Sequence, residues 1–145
     1  MRFAAAILAA GSGSRAGPGA PKQWRLLAGK PVLLWSVEAL ICAGASPLVV
    51  AVAPGDEDQA NEALAGLVDI LVIAGGDTRA QSAQRALDAM AEASTDMVLI
   101  HDAARPFVTR AHVAALLAAL STVSDDPAVR CVVLSPSVRF PFPSK

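Results

Sequence analysis

A chain of 145 residues, 54 % hydrophobic and 17 % charged, is long enough for one domain with a real core and too apolar to be disordered over most of its length. The net charge of −1 argues against a broadly basic nucleic-acid surface, yet residues 1–50 are locally +4, with Arg2, Arg15, Lys22, Arg25 and Lys30 against Glu38 alone. Apolar runs are broken by Gly, Pro or charge before a bilayer could be crossed, so no membrane span and a cytoplasmic location are expected.

In chain order, the pattern alternates short apolar runs with longer amphipathic ones. The first run follows Met1-Arg2 and superficially resembles a signal peptide, but it stops at Gly11 and leads into a Gly/Ser/Arg turn, which fits a buried strand better. Strands are predicted over 3–8, 48–52, 70–73, 97–100 and 129–134, continuous in hydrophobicity as in a doubly covered parallel sheet. Between them, Leu33, Val37, Leu40 and Ile41 share one helical face. A shorter helix is expected over 56–67, opened by acids near its positive end. The next starts at Thr78, with Gln81 completing a capping box and Ala83, Leu87 and Met90 buried. A last helix runs from Thr109 and buries Val113, Leu116, Leu117 and Leu120.

This alternation implies βαβ units and a three-layer α/β sandwich with a mostly parallel sheet. The domain is expected to occupy residues 1–134, with an extended Pro-rich tail over 135–145. Cys42 and Cys131 lie in apolar surroundings without CxxC spacing, so they are expected to pack rather than bond to each other or to a metal. Trp24 and Trp35 are expected in the core or an interface.

Ligands in such sheets bind beyond the carboxyl ends of the strands. Three segments fall there, 9–22, 75–79 and 101–105, and they are also the richest in Gly, Arg, Asp and Ser. In Ala9-Ala10-Gly11-Ser12-Gly13-Ser14-Arg15 the glycines allow positive φ and close backbone approach, so N–H groups can converge on phosphate. Arg15 and Lys22 add cations. No GxxxxGK[ST] string occurs. Gly11-x-Gly13-x-x-Ala16 meets a loose dinucleotide fingerprint, but Gly17-Pro18-Gly19-Ala20-Pro21 forbids the helix that fingerprint requires. A triphosphate clamp is the better reading. Asp102, at a strand's end, can be a metal ligand, a helix cap or a structural partner of Arg105. His101 reads as a packed strand-end residue and His112 as surface.

Taken together, these residues resemble the 2-C-methyl-D-erythritol 4-phosphate cytidylyltransferase family. The likeness rests on the glycine-rich turn, Pro21-Lys22-Gln23, Gly75-Gly76-Asp77-Thr78-Arg79-Ala80-Gln81-Ser82 and His101-Asp102-Ala103-Ala104-Arg105-Pro106, in that order over roughly residues 3–120. The first two strings mark sugar nucleotidyltransferases broadly; the last two are more specific. The resemblance implies a nucleotidyltransferase-type, Rossmann-like nucleotide-binding fold and transfer of CMP from CTP to 2-C-methyl-D-erythritol 4-phosphate in isoprenoid precursor synthesis, with Mg²⁺ as cofactor.

It further implies Arg15 and Lys22 as catalytic cations. Ala9, Ala10, Gly11, Ser12, Gly13, Gly76, Asp77, Ser82 and Ala103 would bind nucleotide, Arg105 the acceptor phosphate and Asp102 the metal. Gly75, Gly76, Asp77 and Ser82 resemble the cytosine-reading segment, with Arg79 alternatively bracing that loop through Asp77. After about Thr122 the recognisable pattern stops, so the chain reads as a truncated amino-terminal part without the family's dimerisation arm. A related enzyme with another polyol-phosphate acceptor, such as a ribitol phosphate, and a non-catalytic CTP-binding fragment are the alternatives.

Overall fold

The computed structural model describes residues 2–11 and 19–121 in full and residues 131–133 by their backbone. Five strands form one parallel sheet: β1 (Phe3–Ala9), β4 (Leu48–Val52), β5 (Ile70–Ala74), β6 (Met97–Asp102) and β7 (Cys131–Val133), in the order β5-β4-β1-β6-β7. A two-stranded antiparallel hairpin, β2 (Leu26–Leu27) with β3 (Lys30–Pro31), stands apart from it. It turns at Ala28 and Gly29, whose φ values of 50° and 81° are the left-handed pair a tight hairpin needs.

The sheet is covered on both faces, which is why its central strands are apolar at every position. All residues of β1 and β4 are buried. Alternate side chains serve opposite layers. Ala5, Ile7, Ala9, Val50 and Val52 pack with Leu33, Val37 and Leu40 of helix α1 (Val32–Cys42), Ala60 of α2 (Glu57–Ala63) and Val113 of α4 (Arg110–Ser121). Ala4, Ala6, Leu8, Val49 and Ala51 pack with Ala86 and Met90, contributed by α3 (Arg79–Ala89) and the residue after it. The three-layer sandwich is therefore as expected.

The helices agree with the sequence pattern in place and differ in detail. The capping box at Thr78 is complete: the Gln81 N–H donates to Thr78 Oγ1 at 3.1 Å, and the Thr78 N–H donates to Gln81 Oε1 at 3.2 Å. The buried stripe of α3, however, is centred on Ser82 and Ala86, with Ala83 and Leu87 only partly covered. The helix is rotated so that a serine, held by hydrogen bonds, faces the sheet. The helix expected over 56–67 ends at Ala63, because Leu64–Leu67 turns through Gly66 at φ +88°. Cys42, in the last turn of α1, is exposed rather than packed. Val113 is fully buried and Leu116, Leu117 and Leu120 partly so, on the expected face of α4. Among the described residues no helix is long and apolar enough to cross a membrane. The tail over 135–145 lies outside the described residues.

Candidate active site

The strand order reverses at β1: the chain runs outward through β4 and β5, then returns to place β6 on the other side of β1. The crevice at such a switch point opens beyond the carboxyl ends of the two strands. It is lined by Leu8, Ala10, Gly11, Gly76, Asp77, Thr78, Arg79, Ser82 and Asp102. Three loops far apart in the sequence thus meet in one pocket, and they carry three of the four motif strings.

Six predicted site residues line it: Ala10, Gly11, Gly76, Asp77, Ser82 and Asp102. Ala9 and Ala103 lie beneath it, 3 % and 1 % exposed. The Ala103 N–H donates to the Leu8 carbonyl at 3.0 Å, which ties the end of β6 to β1. Lys22 is exposed at the start of a 3₁₀ turn (Lys22–Trp24), and its side chain has no hydrogen-bond or ion-pair partner among the described residues. Ser12, Gly13 and Arg15 lie outside the described residues. Gly11 does not adopt a positive φ, and a Cβ built there would meet no described residue within 4 Å. Its lack of a side chain leaves open space rather than relieving backbone strain.

The Gly75–Ser82 loop is tightly packed. A Cβ on Gly75 would come within 2.5 Å of Ala10 Cβ and 2.8 Å of Ser82 Oγ, and one on Gly76 within 2.4 Å of Gln81 Cβ. Ser82 Oγ accepts from the Gly76 N–H at 3.0 Å and lies 3.1 Å from the Thr78 carbonyl, to which it can donate. Arg85 Nη1 donates to the Gly75 carbonyl at 2.8 Å. Arg85 escaped the sequence reading, since its partner is a main-chain oxygen ten residues away.

Asp102 accepts from Arg79 Nε at 3.0 Å through one oxygen and faces Arg105 Nε at 3.4 Å through the other. Arg79 therefore braces the site through Asp102, not through Asp77 as expected from sequence proximity. Both arginine side chains are about half exposed (48 % and 54 %), so each pair is worth only about 0.2–1 kcal/mol and can exchange for a stronger anion. His101 Nε2 lies 3.0 Å from the Arg105 carbonyl. Burial pushes its pKa below the usual 6.5, against the opposing pull of that carbonyl and of the Asp102 charge. It behaves as the packed strand-end residue expected. His112 is exposed.

Both tryptophans are partly buried. Trp24 Nε1 donates to Asp56 at 3.1 Å, and Trp35 Nε1 donates to the Leu27 carbonyl at 2.9 Å. The Lys30 ammonium sits 3.7 Å from the Trp35 ring centre and pairs with Glu38, so that part of the basic front end is structural.

Among the described residues no three His, Cys, Asp or Glu side chains cluster as a metal cage. The pocket does hold two carboxylates, Asp77 and Asp102. That set fits Mg²⁺, which takes one or two carboxylates and completes its shell with phosphate oxygens and water.

Comparison with known proteins agrees with this geometry. A bifunctional enzyme IspD/IspF from Caulobacter vibrioides is 52 % identical over 122 residues, covering 83 % of this chain and 32 % of its own length. A 2-C-methyl-D-erythritol 4-phosphate cytidylyltransferase from Cereibacter sphaeroides is 45 % identical over 125 residues, covering 84 % of this chain and 55 % of its own. The solved bifunctional IspDF of Campylobacter jejuni superimposes with a TM-score of 0.72 at 24 % identity, over 84 % of this chain and 31 % of that one, and shows the shared fold. The chain thus spans about a third to about half of the relatives it matches. The family's sequence model matches residues 3–137, past the end of the recognisable motifs and across β7. A match from the first strand to beyond the last makes this chain a member of the 2-C-methyl-D-erythritol 4-phosphate cytidylyltransferase family.

Proposed function

We propose that the chain is the CTP-binding part of a cytidylyltransferase that transfers CMP to 2-C-methyl-D-erythritol 4-phosphate and releases pyrophosphate. The observation that carries this reading is the meeting of the glycine-rich, Gly75–Ser82 and His101–Arg105 segments in one pocket at the β1/β6 switch point.

In this reading the base lies against Gly76, Asp77 and Ser82. The Gly75 and Gly76 backbones, kept bare by packing, can approach its edge; a wrong base leaves buried polar groups unpaired. The triphosphate follows Ala10 and Gly11 into the turn that carries Ser12, Gly13 and Arg15, over a floor made by Ala9 and Ala103. A phosphate oxygen of the acceptor bonds to the α-phosphorus. The bond from that phosphorus to the bridging oxygen breaks, and pyrophosphate leaves with the electron pair. No general base is required, because a phosphate monoester with a second pKa of about 6 is already ionised.

Catalysis is then positioning plus charge stabilisation. Lys22, unpaired and exposed, is free to reach the phosphates; Arg15 is assigned the same role. Asp102 would hold a divalent cation, which neutralises phosphate charge when bound. Arg105, loosely paired, can turn to the acceptor phosphate. A cytoplasmic location and a homodimer of the longer protein belong to the same proposal.

Calorimetric titration of the chain with CTP, UTP and ATP in Mg²⁺ tests the reading, followed by pyrophosphate release in a version extended to the length of the monofunctional relatives. Selective CTP binding and acceptor-dependent release are expected. Absence of CTP binding would remove the proposal.

A further inference from the structure

Among the described residues three polar side chains are buried, Gln23, Ser36 and Ser82, at 4 %, 0 % and 2 % exposure. Each is hydrogen-bonded to the backbone of a different loop of the pocket. Ser82 holds Gly76; Ser36 Oγ lies 3.2 Å from the Ala103 carbonyl; Gln23 Nε2 donates to the Ala9 carbonyl at 2.8 Å and to the Gly11 carbonyl at 3.1 Å. We propose that Gln23 is a positioning residue, its amide fixing the path of the phosphate-binding turn relative to Lys22. This inference rests on the nucleotide reading above.

The chemistry requires an amide at this position. Both partners are main-chain carbonyls, so the group facing them must be the NH₂, whose two hydrogens serve two acceptors from one atom. A carboxylate of the same shape would face two oxygens with no proton to share. Peptide planarity carries the effect further: fixing the Ala9 carbonyl also fixes the Ala10 N–H, turned the opposite way, and Ala10 lines the pocket. Anchoring the carbonyls on one side leaves the donors on the other, as a phosphate cradle needs.

The 3₁₀ turn completes the coupling. At about three residues per turn, neighbouring side chains diverge, so Gln23 points inward while Lys22 is exposed. The amide that grips Ala9 and Gly11 thereby sits one residue from the catalytic cation. Packing alone cannot do this, because Ala9, Ala10 and Gly11 offer almost no side chain to grip.

The test compares CTP with cytidine, which lacks the phosphates, by NMR titration of the wild-type chain and Gln23→Met, a near-isostere without the donors. Loss of the anchor should weaken CTP binding by about 10–100-fold while cytidine binding stays within about twofold, since losing one or two charge-assisted hydrogen bonds to phosphate is enough for such a change. An unchanged CTP affinity, or an equal loss for both ligands, would overturn the proposal. If Gln23→Met does not unfold cooperatively, the wild-type Gln23 side-chain amide supplies the answer. Its protons should exchange slowly and shift with CTP but not with cytidine; an unresponsive amide overturns the role. Failure of the wild-type chain to bind CTP is a separate result, and it removes the nucleotide reading itself.

Discussion

Three glycines with different surroundings separate what the pocket owes to packing from what it owes to ligand access. Gly75 is enclosed: a Cβ there would lie 2.5 Å from Ala10 Cβ, 2.8 Å from Ser82 Oγ and 3.1 Å from the Val52 carbonyl. Carbon atoms pack best at about 3.5–4.0 Å, so something must move by about 1 Å. None of the three neighbours is the end of a flexible side chain. Overpacking of this kind costs about 1–3 kcal/mol, and Gly75→Ala should lower Tm by roughly 3–10 °C. The displaced atoms belong to Ala10 and Ser82, both in the pocket wall, so CTP affinity should fall as well, by about tenfold or more, the equivalent of one good contact.

Gly11→Ala should behave differently. Its Cβ meets no atom of the described residues within 4 Å and its φ lies outside the left-handed region, so stability should change by no more than about 0.5 kcal/mol. The space it fills adjoins the pocket, and CTP affinity should drop by at least about tenfold, the equivalent of one good contact. Gly55→Ala is the control. At φ +97° and outside the pocket lining, it should cost about 1–2 kcal/mol and leave CTP binding intact. Thermal denaturation and calorimetric titration with CTP in Mg²⁺ read all three. A Gly11→Ala variant that binds CTP like the wild type would refute the placement of the triphosphate, and a Gly75→Ala variant of unchanged Tm would refute the packing argument.

Lys22→Ala should leave Tm unchanged, since the side chain is exposed and unpartnered, and in the extended protein should reduce pyrophosphate release by at least about 100-fold. Thr78→Ala removes half of a complete capping box and should cost about 1 kcal/mol, read as a Tm lower by about 2–4 °C. The partly buried His101 ring has a folded-state pKa below its unfolded 6.5, so the unfolded chain binds the extra proton first. Stability should therefore be full above pH 6.5 and decline as pH falls through the folded value. Denaturant midpoints measured without metal should show this decline in the wild type and not in His101→Gln.

The strands and most helix positions were legible because burial on both faces leaves a long apolar signature. The capping box was legible because its two residues are three apart. What the sequence hid was long-range or non-apolar. Leu87 outranks Ser82 on any hydrophobic scale, yet Ser82 is the residue buried, since its hydroxyl is matched by the Gly76 N–H. Arg79 has Asp77 two positions away, but only strand register reveals that Asp102 is its partner. The β2–β3 hairpin turns on Ala28-Gly29, which lacks the Asn-Gly or Asp-Gly signal of such turns. Of the pocket, the motif strings held eight of the nine lining residues, six of them predicted as site residues, and missed Ser36 and Arg85; Gln23 was visible only as a letter in a string.

Those omissions have a common physical cause. Loops that must let a nucleotide approach the backbone are built from Gly and Ala, and residues that small cannot be immobilised by packing their own side chains. Their positions have to be fixed by hydrogen bonds donated or accepted from elsewhere. Gln23 grips the turn after β1, Ser36 the turn after β6, and Ser82 with Arg85 the turn after β5. A motif string records the bare residues that touch a ligand, whereas the groups that give those residues their shape are spread over a 3₁₀ turn and two helices. In this chain the anchors need only a donor or acceptor of the right reach, in Gln23, Ser36 and Ser82 buried where water cannot compete, and such a requirement leaves no periodicity for a sequence to show.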